Sequence, residues 1–204
     1  MVPAMSVWEP VVTAVAAFAA TNIDDILILA LFFAQLGTAL RRWHVVTGQV
    51  VGFTGLVTVS LLGFVFGFLL PRPYIGLLGI LPVLLGLRSW FTRDEGEPQV
   101  EVRAGDGFAR VLSVAGVTFA NGADNIGIYT PLFASSTLAE LIMTLTIFYL
   151  MLFLWCLAGY FIARQPAMAK LLGRYGHIVM PLVLIGLGVF IILESGTLSL
   201  VGLG

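Results

Sequence analysis

Five consecutive residues, Thr21-Asn22-Ile23-Asp24-Asp25, place two carboxyl groups and an amide in the middle of a run that is otherwise apolar on both sides. A second polar stretch, Asn121-Gly122-Ala123-Asp124-Asn125, stands in the same kind of surroundings further along the chain. The two superpose letter on letter, with Ala20 on Ala120, Asp24 on Asp124, Ile26 and Ile28 on Ile126 and Ile128, and Phe33-Ala34 on Phe133-Ala134. On a helix, residues three or four apart are neighbours. Thr21 then shares a face with Asp24 and Asp25, Asn22 with Asp25, and Asn121 with Asp124 and Asn125. If the two helices cross, Asn22, Asp24, Asp25, Asn121, Asp124 and Asn125 converge as a set of carboxylate and amide donors. Oxygen donors of this kind suit hard or borderline divalent cations, whereas softer ions recruit Cys, Met or His.

The cost of those acids depends on their solvent, and composition names it. With 59% hydrophobic residues, 10% charged and a mean hydropathy of +1.05, the chain has too much apolar surface for a soluble domain. The lipid bilayer is its solvent. A carboxylate at the bilayer centre costs about 2.5 to 3.5 kcal/mol, so it persists with a partner, a cavity or a function. No Lys or Arg stands mid-run to pair with it, which leaves a mobile cation, a proton or the amides. Adjacent carboxylates in a low dielectric cannot all be ionised, so they hold protons in common. A divalent cation replaces those protons, and a site that carries either one between two faces is a cation/proton antiporter. The competing reading is interhelical hydrogen-bond glue, which a protonated Asp supplies without any ion. Three acids in matched positions argue for cargo over glue.

Other residue types narrow the field. The net charge of -1 speaks against a nucleic-acid partner, and a single cysteine excludes a disulfide framework or a thiolate cluster. Cys156 alone reads as a small apolar filler, His44 and His177 as interfacial, and Met143 and Met151 as packing. Gln49, Thr54, Thr58 and Thr130 are candidates to line a path.

The elements that must position the acids follow from apolar runs long enough to span, at 11–36, 45–70, 74–90, 111–133, 138–163 and 177–193. These predict an all-α membrane protein of six transmembrane helices. Ser6 with Glu9 and Thr137 with Glu140 have capping-box spacing, so both glutamates read as caps. Residues 1–10 carry no Lys or Arg, and the first helix is expected to remain in the mature protein. Trp8, Trp43, Trp90, Tyr74 and Tyr175 lie near span ends, as aromatic rings do at the headgroup level. Trp155 lies mid-span and has no such explanation. On alternate sides, Arg41, Arg42, Arg88, Arg93, Arg103, Arg110, Arg164, Lys170 and Arg174 oppose Arg72 alone. The basic side is cytoplasmic by the positive-inside rule, so both termini are extracytoplasmic. The halves are 1–91 and 108–204, joined by a charged cytoplasmic linker, 92–107. Each holds three helices, an odd number, so a repeated unit must re-enter the membrane upside down, as in many secondary transporters. Gly122, Gly127 and Pro131 predict unwinding in the fourth helix, where Pro131 frees the carbonyl of Gly127.

The runs Ala20-Thr21-Asn22-Ile23-Asp24-Asp25-Ile26 with Phe32-Phe33, Asn121-Gly122-Ala123-Asp124-Asn125-Ile126 and Tyr129-Thr130-Pro131-Leu132-Phe133 resemble those of the cadmium-resistance transporter family, grouped with the lysine exporter superfamily of small six-helix carriers. The resemblance covers nearly the whole chain in length and helix plan. It implies efflux of cadmium, or of another divalent ion such as manganese, magnesium, calcium or zinc, across the bacterial cytoplasmic (inner) membrane. It also implies an ion site at Asn22, Asp24, Asp25, Asn121, Asp124 and Asn125. No enzymatic activity or resident cofactor is expected; the partners are the metal ion, protons and lipid, and a homodimer is left open. Against this stand an exporter of amino acids or other small solutes, disfavoured by the acidic midplane, a passive cation channel, and an intramembrane aspartyl protease with Asp24 and Asp124 as its dyad. The extra Asp25 and six short helices fit the protease poorly.

Overall fold

The structure is a computed structural model and describes residues 8–91, 106–165 and 181–197. Among them every regular element is helical. Two helices are long and apolar enough to cross a membrane, α3 (Arg42–Leu69) and α8 (Leu138–Ile162). A third span results if α1 (Trp8–Asn22) and α2 (Asp25–Ala34), bent by 56° at their junction, count as one. A short α4 (Arg72–Ile75) and a 3-10 turn (Gly76–Gly79) lead into α5 (Ile80–Phe91). Beyond the linker come α6 (Gly107–Asn121), α7 (Ala123–Ser135) and, after α8, an apolar helix described over Pro181–Glu194, here α9. The chain is an all-α membrane protein.

Local chemistry accounts for several ends. Thr137 and Glu140 form the capping box expected, the Thr137 amide donating to Glu140 Oε2 at 2.7 Å and the Glu140 amide to Thr137 Oγ1 at 3.4 Å. The Ser6 partner of Glu9 lies outside the described residues, as do His177, Tyr175 and 92–105 of the linker. Asp106 is a cap rather than a linker charge: its Oδ1 accepts the Ala109 amide at 2.9 Å, and α6 begins at Gly107. Gly37 turns the chain from α2 toward α3 at φ 87°, a backbone region that disfavours side chains.

Two of the apolar runs are broken, the first read from the sequence as continuous and the fourth expected to unwind. The run 11–36 divides between α1 and α2, and 111–133 divides between α6 and α7 at Gly122. The third run, 74–90, opens through the 3-10 turn.

Packing is crosswise. α3 lies along both α6 and α7, while α8 lies along both α1 and α2. In lipid no hydrophobic drive draws helices together, so close approach over small residues supplies the attraction. Gly63 and Gly67 of α3 sit so tightly on α7 that a Cβ at either would strike the backbone carbonyl of Thr130 or of Ala134. A Cβ at Gly48 or Gly52 would strike the Val111 or Ala115 carbonyl of α6 and the side chain of Val114 or Thr118, and one at Gly159 of α8 would strike the Leu29 side chain of α2. The 3-10 turn before α5 meets α9 at Gly79 and Gly188, each of which would drive a Cβ into the other's carbonyl. Between these layers Phe18, Phe53, Tyr129, Phe133 and Phe148 form a buried aromatic cluster, with Tyr129 and Phe148 centroids 4.5 Å apart.

Candidate cation site

The two breaks carry the chemistry. At the first, α1 ends on Asn22 and the Asp24 carboxylate accepts the backbone N–H of Asp25 at 3.1 Å, capping the start of α2. At the second, α6 ends on Asn121 and the Asp124 carboxylate accepts the backbone N–H of Asn125 at 2.9 Å, in the first turn of α7. Each acid therefore caps the amide immediately after it. The N-termini of α2 and α7 bring their partial positive ends to the acids, and the C-termini of α1 and α6 bring carbonyl ends.

Asn121 joins the breaks. Its Nδ2 donates to Asp25 Oδ1 at 2.8 Å and to Asp24 Oδ2 at 3.2 Å, linking α6 to the junction of α1 and α2. Asp124 lies within Coulombic range of Asp24 and of Asp25. Asp25 is buried, while Asp24, Asn121 and Asp124 are half-buried.

Asn22 is held by a hydrogen-bond chain whose directions can be worked out. Thr21 Oγ1 donates to the Ala17 carbonyl at 3.0 Å, so the Tyr129 hydroxyl, 2.8 Å away, donates to Thr21 and accepts from Asn22 Nδ2, also at 2.8 Å. Asn22 Nδ2 further donates to the Phe18 carbonyl at 2.8 Å. Turned about, the amide would set its oxygen against that carbonyl, so the observed orientation is the one the donors and acceptors require. The consequence is that Asn22 Oδ1 is left bare. Asn125, fully buried on α7 one turn before Tyr129, makes no side-chain hydrogen bond at all.

The unpaired atoms collect in one place. Among the described residues, the buried side-chain N and O atoms without a partner are Asn22 Oδ1, Asp25 Oδ2, Asp124 Oδ2, and both Oδ1 and Nδ2 of Asn125. All belong to residues singled out from the sequence. Each buried unsatisfied group costs about 1 to 3 kcal/mol, and such groups are rare in folded proteins. No three of the described Asp, Glu, His and Cys side chains are grouped closely enough to hold a metal ion by themselves.

Several residues stand elsewhere than expected. Thr54 and Thr58 are exposed on α3: Thr54 bonds the Val50 carbonyl at 2.7 Å and the Tyr149 hydroxyl of α8 at 2.9 Å, and Thr58 bonds the Thr54 carbonyl at 2.7 Å. Gln49 is buried and accepts from Thr118 Oγ1 at 2.6 Å, one turn before Asn121. Thr130 gives its backbone to the contact with Gly63. Gly127 and Pro131 lie inside the unbroken α7, where Gly127 makes room for Leu85 of α5, and the helix parts at Gly122 instead. Cys156 is buried with Ile28, Leu29 and Phe32. His44 is buried, its Nδ1 accepting the Arg41 amide at 3.0 Å, so it caps α3.

Two residues the sequence left unassigned complete the site. Trp155 donates its indole N–H to the Asn22 carbonyl at 2.6 Å, satisfying an acceptor at the C-terminal end of α1. An indole in mid-span needs an acceptor, and that need was the available signal. Tyr129 had the same signal in its hydroxyl, but its partners come from α1, far away in the chain.

A model of the cadmium resistance transporter family matches residues 18–202, which include both breaks and all six polar residues. The chain belongs to the cadmium resistance transporter family. This transporter therefore carries its family's match across nearly its whole length, from α1 to the residues beyond α9. No curated protein and no solved structure matches the transporter.

Proposed function

We propose that this transporter exports a divalent cation, cadmium first, in exchange for protons, and that the ion binds between the two helix breaks near the membrane midplane. One observation carries the reading: among the described residues, the unpaired buried side-chain atoms all come from Asn22, Asp25, Asp124 and Asn125, at two breaks joined by Asn121. Magnitudes decide against glue. An interhelical hydrogen bond in a membrane contributes about 0.6 kcal/mol on average. Between helices, Asp24 and Asp25 share the one side-chain amide of Asn121, against about 2.5 to 3.5 kcal/mol for each carboxylate in lipid. The remainder is supplied by protons or by an ion. Because the acids do not close a metal site by themselves, the ion is held with the Asn22 and Asn125 oxygens as well, and a domain movement brings them onto it.

The crosswise packing supports six spans in two inverted repeats. Exchanging the broken pair α1–α2 for α6–α7, and α8 for α3, maps one set of contacts onto the other. The site then lies on the symmetry axis, in the bacterial cytoplasmic membrane with both termini outside.

The test is metal flux into vesicles containing the purified protein, with cadmium, zinc, manganese, magnesium and calcium compared, and with Asp24→Asn, Asp25→Asn and Asp124→Asn made singly. Flux that depends on the pH gradient and is lost in all three variants is the expected result. Unchanged flux in each variant would return the acids to the role of glue, and flux indifferent to a collapsed pH gradient would remove proton exchange.

A further inference from the structure

Arg42 and Arg164 are drawn onto one ring from opposite ends of the chain. Arg42 is the first residue of α3 and Arg164 follows the end of α8, yet their Cζ atoms lie 4.9 and 4.4 Å from the Tyr160 ring centroid, and Arg164 Nη2 also bonds the Tyr160 hydroxyl. Both arginines are exposed, and no carboxylate among the described residues forms an ion pair with either. Two guanidinium groups held so close repel each other. Contact with a ring uses the flat face of a guanidinium, which leaves the N–H edge of Arg42 and the N–H groups of Arg164 other than Nη2 for a phosphate, the anion a guanidinium fork matches. We propose that Arg42 and Arg164, organised by Tyr160, bind the phosphate of an anionic lipid headgroup.

Position favours lipid over a free phosphate. The ring sits where the two longest apolar helices end, the level at which a bilayer presents its headgroups. Trp43, half exposed beside Arg42, is placed as an indole at that boundary, and exposed Arg41 adds a third positive charge. This is also the side on which the chain's basic residues collect, facing the anionic cytoplasmic leaflet.

The experiment uses the full chain, purified into vesicles of phosphatidylcholine with or without phosphatidylglycerol, and reads both retained lipid per protein and melting temperature. Wild type is expected to retain phosphatidylglycerol preferentially and to melt higher in its presence. Arg42→Gln with Arg164→Gln should lose that retention by roughly 25-fold, at about fivefold per arginine. Arg42→Lys with Arg164→Lys keeps the charge and removes the fork, so it should lose most of the preference while remaining folded. Arg88→Gln removes a basic residue away from Tyr160 and should leave the preference intact. Equal loss in Arg88→Gln, or undiminished retention in the double Lys variant, would overturn the proposal by showing diffuse charge attraction. A shift produced as strongly by inorganic phosphate, with no preference among lipids, would overturn the lipid assignment.

Discussion

The orientation of one amide shapes the site. Asn22 directs its Nδ2 into Phe18, Thr21 and Tyr129 and so presents a bare Oδ1. On the proposed function Tyr129 acts through Asn22, as a positioning residue. In Tyr129→Phe the ring still fills the aromatic cluster, but Asn22 loses one anchor, and a hydrogen bond of this kind is worth about 0.5 to 1.5 kcal/mol. The half-saturating metal concentration should rise roughly 2- to 10-fold with the maximal rate nearly unchanged, measured in the vesicle assay. A purely structural role would instead lower the amount of folded protein and leave the concentration dependence alone. At this scale much was legible. All six polar residues stand out because charge and amide in lipid are costly, and their types are the ones that suit a cation. Tyr129 and Trp155 were not legible, because their roles depend on which distant backbone atoms face them.

A break has to be held open. The Asn22 carbonyl at the end of α1 is taken by the Trp155 indole. The same ring packs edge-on to Phe18, with centroids 5.3 Å apart. Trp155→Phe keeps an aromatic there but leaves that carbonyl unpaired at a cost of about 1 to 3 kcal/mol. The melting temperature should fall, and flux with it, while Trp43→Phe, at the surface, should change neither. The glycine contacts make an independent prediction. Gly63 has the Thr130 backbone against it, which cannot step aside as a side chain can. Gly63→Leu should therefore separate α3 from α7 and destabilise by about 1 to 3 kcal/mol or more, whereas Gly116→Ala, with open space around it, should be tolerated. Both are read by thermal unfolding in detergent. The break at Gly122 had a signal in the sequence, a glycine beside polar residues. The break at Ile23-Asp24 had none, since an acid that caps the next amide looks the same on paper as one on a continuous helix face.

For the whole molecule the decisive question is which side each loop faces. The proposed six-span plan puts three crossings between Thr38 and Leu138, and so puts the two residues on opposite sides of the membrane. In a Cys156→Ala background, cysteine at exposed Thr38 should react with an impermeant thiol reagent only from the cytoplasm, and cysteine at exposed Leu138 only from outside. Labelling of both from one side would break the six-span plan and the inverted repeat together. The proposed repeat would account for α3 and α8 being the two long unbroken helices: each packs along a broken pair, α3 on α6 and α7 over a line of small residues and α8 on α1 and α2.

The sequence alone determined the solvent, the helical class, the positions of the costly groups and the family motifs, because each of these follows from residue type and spacing along a single chain. The tertiary structure decided where the helices part, which amide bridges Asp24 to Asp25, and which atoms at the breaks are left without partners. Those outcomes depend on close approach between segments about one hundred residues apart, and no local pattern records how such segments meet.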